Sequence, residues 1–186
     1  MMSILQNILF GIIALAASIV VVSFFLPEKY TVEKSIHINA PVSIVFQQIN
    51  DLKNWGNWSF FANLDPAWKT DFGNWTIGKD AGLRWRSEKL GNGQLKIIES
   101  NSNKKILVHF DYDEPGKGGN ALYLFTQQDD GTTATFRLEF PVPLTPQEKF
   151  KNILFEKDNS EPQFEYSLKH LKEVSERKFK EKLDNG

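Results

Sequence analysis

The 186-residue sequence predicts an α+β domain, a bent antiparallel sheet wrapped around one long C-terminal helix, behind a single transmembrane helix. Three observations carry this. The chain opens on an uncharged apolar run. Short alternating segments separated by turn signals fill the stretch from Tyr30 to Phe140. The chain then closes on an amphipathic helical repeat.

The apolar run extends from Ile4 to Leu26, and no charged residue occurs between Met1 and Pro27. A helix needs about 20 mostly apolar residues to cross a hydrocarbon core of about 30 Å, and Pro27 is suited to end it. A cleaved signal peptide would want a charged start and a small-residue cleavage site. The start here is uncharged, and the Ala14-Leu15-Ala16 match is followed by further apolar and small residues. A buried core helix is the third reading. The run is taken as an anchor, residues 1–27, with the soluble domain at 28–186, which predicts a single-pass protein of the cell membrane. Counted literally, the positive-inside rule places the domain in the cytoplasm. Lys29 and Lys34 are offset by Glu28 and Glu33, so the side of the membrane stays open.

Tyr30 to Ile38 alternates, with Tyr30, Val32, Ile36 and Ile38 on one face and Lys34 interrupting it, as in a half-buried strand. Pro41 suits a first helical turn. Val42, Val45, Phe46 and Ile49 then recur at helical spacing, predicting a helix to about Asn50. Trp55-Gly56-Asn57-Trp58 reads as a second helical turn or ordered loop. Strands follow at Ala67–Phe72, Gly82–Glu88, Gln94–Ser100, Lys104–Tyr112, Asn120–Gln127 and Thr133–Phe140. Gly91-Asn92-Gly93 predicts a tight type I′ hairpin turn and Asp129-Asp130-Gly131 another hairpin. Pro141, Pro143 and Pro146 end the sheet, and a helical stretch is expected from about Gln147. Phe164, Leu168, Leu171 and Val174 mark the apolar stripe of the closing helix, which runs towards Leu183 with Lys178 to Gly186 expected to fray.

Composition excludes several classes. There is no Cys, hence no disulfide framework, thiolate metal site or Cys nucleophile. Lys plus Arg is 22 against 23 Asp plus Glu, a net charge of −1, so nothing favours nucleic acid as a partner. Aromatics make up 13% of the chain, with five Trp. A Phe-rich core accounts for the phenylalanines better than for the clustered tryptophans.

Val32-Glu33-Lys34-Ser35-Ile36, Ile38-Asn39-Ala40-Pro41, Val45-Phe46 through Ile49-Asn50-Asp51-Leu52, Trp55, Trp58-Ser59, Asp65-Pro66, Gly93 to Ile97 and Phe164 to Glu173 together resemble the START-like superfamily, also called SRPBCC or polyketide cyclase/dehydrase-like. The resemblance covers about Tyr30 to Lys178. Leu26-Pro27-Glu28-Lys29-Tyr30 is similar to a bacterial subgroup with a leading membrane helix. It implies the helix-grip fold and a cavity for an apolar ligand. It does not imply one reaction, since a fold hosts many chemistries.

No catalytic set emerges from the residues. His37, His109 and His170 lie on two strands and a helix without metal-ligand spacing, and each reads as solvent-facing. There is no Gly-x-Ser-x-Gly, and Gly116, Gly118 and Gly119 are not followed by a helix. No cofactor is expected. By alternation Ile106, Val108, Phe110 and Tyr112 face inward, leaving His109 and Asp111 outside. Ala134, Phe136, Leu138 and Phe140 likewise face inward, leaving Arg137 and Glu139 outside. Either Trp85 or its neighbours Arg84 and Arg86 must face in, and a buried Arg would bind an anionic head group. The candidate cavity residues are Trp55, Trp58, Trp85, Phe110, Tyr112, Tyr123, Phe125, Phe136 and Phe164, with Trp68 and Trp75 as further aromatics. Tyr112 and Tyr123 would each bring a hydroxyl.

The expectation is a membrane-tethered domain that binds a hydrophobic small molecule or lipid without catalysis. Two alternatives stand beside it. One is a polyketide cyclase/dehydratase-like enzyme using Tyr112, Tyr123 or Arg84. The other is an interaction module regulating a membrane partner.

Overall fold

The computed structural model describes residues 4–25, 29–114, 117–141 and 157–186. In chain order the elements are α1 (Ile4–Ser23), β1 (Lys29–Ile38), α2 (Val42–Asn50), a 3-10 helix (Leu52–Asn57), α3 (Phe60–Leu64), β2 (Lys69–Phe72), β3 (Gly82–Arg86), β4 (Gly93–Asn101), β5 (Lys105–Tyr112), β6 (Gly118–Gln128), β7 (Gly131–Pro141) and α4 (Lys157–Asp184). The described strands make one antiparallel sheet, ordered β1-β7-β6-β5-β4-β3-β2. It is a meander from β2 to β7, with β1 pairing back on β7 so that Val32 opposes Leu138 and Ile36 opposes Ala134. This is the α+β helix-grip arrangement expected from the sequence.

The pattern explains the packing. Phe164, Leu168, Leu171 and Val174 of α4 are all buried against the inward faces of the strands, including Val108, Tyr123, Phe136 and Leu138. Alternation holds on β3, where Leu83 and Trp85 are buried and Arg84 and Arg86 are exposed. The two arginines reach Asp113 at 3.1 Å and Asp71 at 2.6 Å, so Trp85 is the inward residue. Lys34, the interruption in β1, meets Glu165 of α4 at 3.5 Å.

Two expectations need correction, and two features were not anticipated. The Asn92-Gly93 hairpin turn does not form. Residues 87–92 make a longer connection in which Gly91, not Asn92, has the positive φ, +74°. The cause is tertiary: the Asp65 carboxylate takes hydrogen bonds from Ser87 Oγ at 2.7 Å and from the backbone N–H of Glu88 at 2.9 Å. This holds the chain away from a two-residue turn. α3 was not anticipated from the sequence; its five residues include no fully buried one. α4 begins at Lys157 and carries Pro162 inside its first turns. Its C-terminal part does not fray before Asp184, because Phe179 packs on the core and Lys178 Nζ donates to Asn54 Oδ1 at 3.3 Å. The stop at Pro27, the loop glycine Gly116, and Pro143, Pro146 and the helix expected near Gln147 fall outside the described residues.

α1 is apolar throughout, with mean hydropathy 2.1 over Gln6–Ser23, and 6% of that window is buried. A helix of this kind is long and apolar enough to be a membrane span or a signal sequence.

Candidate functional site

The packing between sheet and α4 is incomplete. A cavity of about 480 Å³ remains, bounded by β2 to β7, the first buried turns of α4, the 3-10 helix and α3. That volume lies in the range of about 300–1,000 Å³ found for small-molecule sites.

Two chains of aromatic contact form its walls. In the first, Tyr123 stacks on Phe136 at 4.4 Å, and Phe136 meets Phe164 at 4.7 Å. Trp55 and Trp58, 5.2 Å apart, each approach Tyr123 edge-on at 6.2 Å. In the second, Trp68 stacks on Trp85 at 5.9 Å and Trp85 meets Tyr112 at 5.4 Å. Phe110 joins Tyr112 at 6.3 Å and Phe140 at 5.7 Å. Such offset and edge-to-face contacts hold rings in fixed orientations.

The tryptophan pair has a second task. The last four carbonyls of a helix lack partners within it, and here each finds one, Gln47 O in the cap residue Asp51 and the other three in groups from further along the chain. Gln47 O accepts from Asp51 N–H, and Asn50 O from Gly78 N–H. Gln48 O takes the Trp58 indole N–H at 3.0 Å and Ile49 O that of Trp55 at 2.9 Å. With their polar ends tied to α2, both rings turn their apolar bodies to the cavity, Trp58 almost fully buried at 2% exposure and Trp55 half-buried.

Of the nine candidates named from sequence, eight line the cavity: Trp55, Trp58, Trp85, Phe110, Tyr112, Tyr123, Phe136 and Phe164. Phe125 does not; it is buried under α2, with Phe46 edge-on at 5.5 Å. Trp68 also lines it, whereas Trp75 is 70% exposed on the β2–β3 connection. Leu138 and Phe140 were legible from the β7 alternation. Phe61, Ala62, Thr70, Phe72, Gln163 and Ser167 carried no recognisable signal.

The polar content is sparse. Ser167 Oγ accepts the Phe60 N–H at 3.0 Å and donates to Gln163 O at 3.1 Å. The hydroxyls of Tyr112 and Tyr123 make no hydrogen bond to the described residues. Burial pushes both phenols above their ordinary range, Lys117 partly opposing this for Tyr112. Both are therefore neutral and able to donate. Lys53, at the exposed rim, is the one charged side chain among the described lining residues, and no carboxylate or histidine joins it. His109 instead lies between Asn120 at 2.9 Å and Asp111 at 3.0 Å, His37 is 3.4 Å from Asp130, and His170 Nδ1 is 2.9 Å from Tyr166 O. His37 and His109 keep side chains 39% and 44% exposed, facing solvent as expected, and His170 is half-buried. No group of metal-ligating residues occurs among the described residues.

A family model described as polyketide cyclase / dehydrase and lipid transport matches residues 29–176. Solved structures share the fold. A protein from Rhizobium leguminosarum superposes with a TM-score of 0.60 at 14% identity, over 81% of this chain and 96% of that one. One from Staphylococcus epidermidis gives 0.57 at 15%, over 82% and 93%. DynU16, from the dynemicin biosynthetic locus, gives 0.53 at 12%, over 77% of this chain and 46% of that one. At such identities the likeness carries the fold alone. The comparison with curated proteins returned no match.

Proposed function

The chain belongs to the polyketide cyclase / dehydrase and lipid transport family, and from that premise we propose that it is a membrane-tethered domain binding one hydrophobic small molecule or lipid in the cavity between sheet and α4, without transforming it. The carrying observation is the cavity itself: about 480 Å³, walled by aromatic and aliphatic side chains, with the Tyr112 and Tyr123 hydroxyls free to orient a bound molecule. An apolar pocket with a few placed polar groups is the usual build of a binding site. An acid–base step needs a group of suitable pKa at the reacting atom, and neither a carboxylate nor a histidine is found on the described lining. α1 supplies the tether, with a length and hydropathy that suit a span.

The test is native mass spectrometry of the detergent-extracted full chain, paired with tryptophan quenching across fatty acids and aromatic ligands. A retained apolar molecule and saturable quenching are expected. An empty protein that responds to no member of the panel would sink the binding role. Partition of the intact chain with membranes after alkaline washing tests the tether; a released, N-terminally shortened protein would mean that α1 is a signal sequence.

One observation favours a second reading. Two neutral phenols line a largely apolar cavity, where they could assist a cyclase or dehydratase step by hydrogen-bond donation. Conversion of a bound polyketide-like substrate, lost in Tyr112→Phe or Tyr123→Phe, would replace the first reading.

A further inference from the structure

The cavity is not central; it sits at one end of the groove between sheet and helix. β1 and α4 run side by side in the same direction: Lys34 meets Glu165 at 3.5 Å, Lys172 Nζ meets His37 O at 2.9 Å, and Asn39 N–H meets Glu176 at 2.8 Å. The start of β1 and the early turns of α4 therefore share one end. From α4 the cavity takes Gln163, Phe164 and Ser167. From β7 it takes Phe136, Leu138 and Phe140, which pair with Lys34, Val32 and Tyr30 of β1. The opposite end is filled, with Phe125 opposing Ala134 and packed beneath Phe46.

That end is also where α1 joins. α1 closes at Ser23 and β1 opens at Lys29, so the six Cα–Cα steps between them bound their separation to roughly 20 Å however the chain is arranged. The ten residues of β1 carry the other end of the groove about 33 Å further along the strand. The cover on the near end is uncharged, its apolar residues half-buried. α3 reads Phe-Phe-Ala-Asn-Leu, has no charge and no fully buried residue, and lends Phe61 and Ala62 to the cavity wall. It is held beside the same turns of α4, with the Phe60 ring 5.6 Å from Tyr166. Aromatic side chains of this kind favour the membrane–water interface.

Resting on the binding role and the tether proposed above, we infer that the cavity fills from the bilayer that holds α1, past α3, and that its ligand is a membrane amphiphile rather than a solute of the aqueous phase. The membrane surface is then the docking partner of the α3 end.

The test uses the full chain in phosphatidylcholine vesicles and reads energy transfer from the cavity tryptophans to dansyl. A dansyl-labelled long-chain fatty acid is presented within the bilayer, and a short-chain, water-soluble dansyl acid from the aqueous side. The parent is compared with a variant carrying a helical spacer of about 20 residues between positions 28 and 29, which adds about 30 Å of reach. The spacer should slow filling from the bilayer about tenfold or more and leave filling from water unchanged. Equal bilayer filling in the two proteins would overturn the inference while leaving the binding role intact. A parent that accepts neither probe would overturn the binding of acyl amphiphiles itself, and the inference with it.

Discussion

The indole of Trp85 covers Gly93, its register partner on β4, so closely that a Cβ added to Gly93 would lie 2.3 Å from Cζ2 of the ring. The same Cβ would lie 2.4 Å from the backbone oxygen of Asp111. Gly93 is thus a matter of space rather than of turn geometry, and its absent side chain lets Trp85 lie between Trp68 and Tyr112 on the cavity wall. Gly93→Ala has no soft neighbour to displace, since one obstacle is backbone. It should destabilise the domain by about 1–3 kcal/mol, the usual range for overpacking, and shift tryptophan emission. A melting curve and spectrum identical to the parent's would show that Trp85 is free to move.

Trp58 and Trp55 separate burial from hydrogen bonding. Trp58→Ala removes a buried ring and should destabilise by about 3–5 kcal/mol, a large share of a net stability of about 5–15 kcal/mol. Trp55→Phe keeps a ring but leaves Ile49 O without its partner, and should destabilise by about 1 kcal/mol. Trp75→Ala, at an exposed position, should stay within about 0.5 kcal/mol. Chemical denaturation of the three variants checks the ranking; equal effects at Trp58 and Trp75 would contradict the packing described.

Asp65 ties the α3–β2 connection to residues 87–89. The Ser87 hydroxyl, the Ala67 N–H and the neighbouring backbone donors hold its carboxyl below the ordinary carboxylate value. A depressed folded-state pKa gives stability that is present above the unfolded value of about 3.9 and is lost as pH falls through the lower folded value. Asp65→Asn should be less stable than the parent at neutral pH and show a shallower loss of stability towards acid. Parallel pH profiles for the two proteins would assign the acid dependence elsewhere.

None of the clustered core belongs to α1. Residues 29–186 alone should therefore fold and melt within about 2 °C of the full chain, as for a change within about 0.5 kcal/mol. Aggregation of that soluble fragment would mean that α1 is part of the packed structure.

Much of this was legible in the chain, for physical reasons. Alternation on β5 and β7 and the helical stripe of α4 report which face is buried, and Phe110, Tyr112, Phe136 and Phe164 follow from it. Alternation is silent about position along a groove. Phe125 faces inward as its pattern requires, yet lies at the filled end. Asn92-Gly93 carried a strong local turn signal that the Asp65 carboxylate overrides from another part of the chain. The capping of α2 by two indoles was also hidden, because the partners of a helix's last carbonyls depend on where the chain returns.

The last prediction concerns the hydroxyl of Tyr123. Its ring is fixed by Phe136 on one side and by the two tryptophans edge-on, while its oxygen bonds to none of the described residues. That oxygen opens on the cavity rather than into packed core, so Tyr123→Phe should leave the empty domain within about 0.5 kcal/mol of the parent. Burial raises the phenol's pKa above its ordinary value. A raised folded-state value gives stability that is complete below the unfolded pKa of about 10 and declines as pH climbs above it. The parent should therefore lose stability above about pH 10 more steeply than Tyr123→Phe. If the hydroxyl donates to a bound ligand, the same substitution weakens binding about tenfold, the equivalent of a hydrogen bond of about 1.4 kcal/mol. Calorimetry on the empty and loaded forms separates the two effects. A variant that is unchanged when empty but binds less tightly makes Tyr123 the orienting group, whereas a variant destabilised when empty would show that the hydroxyl has a protein partner and serves the fold.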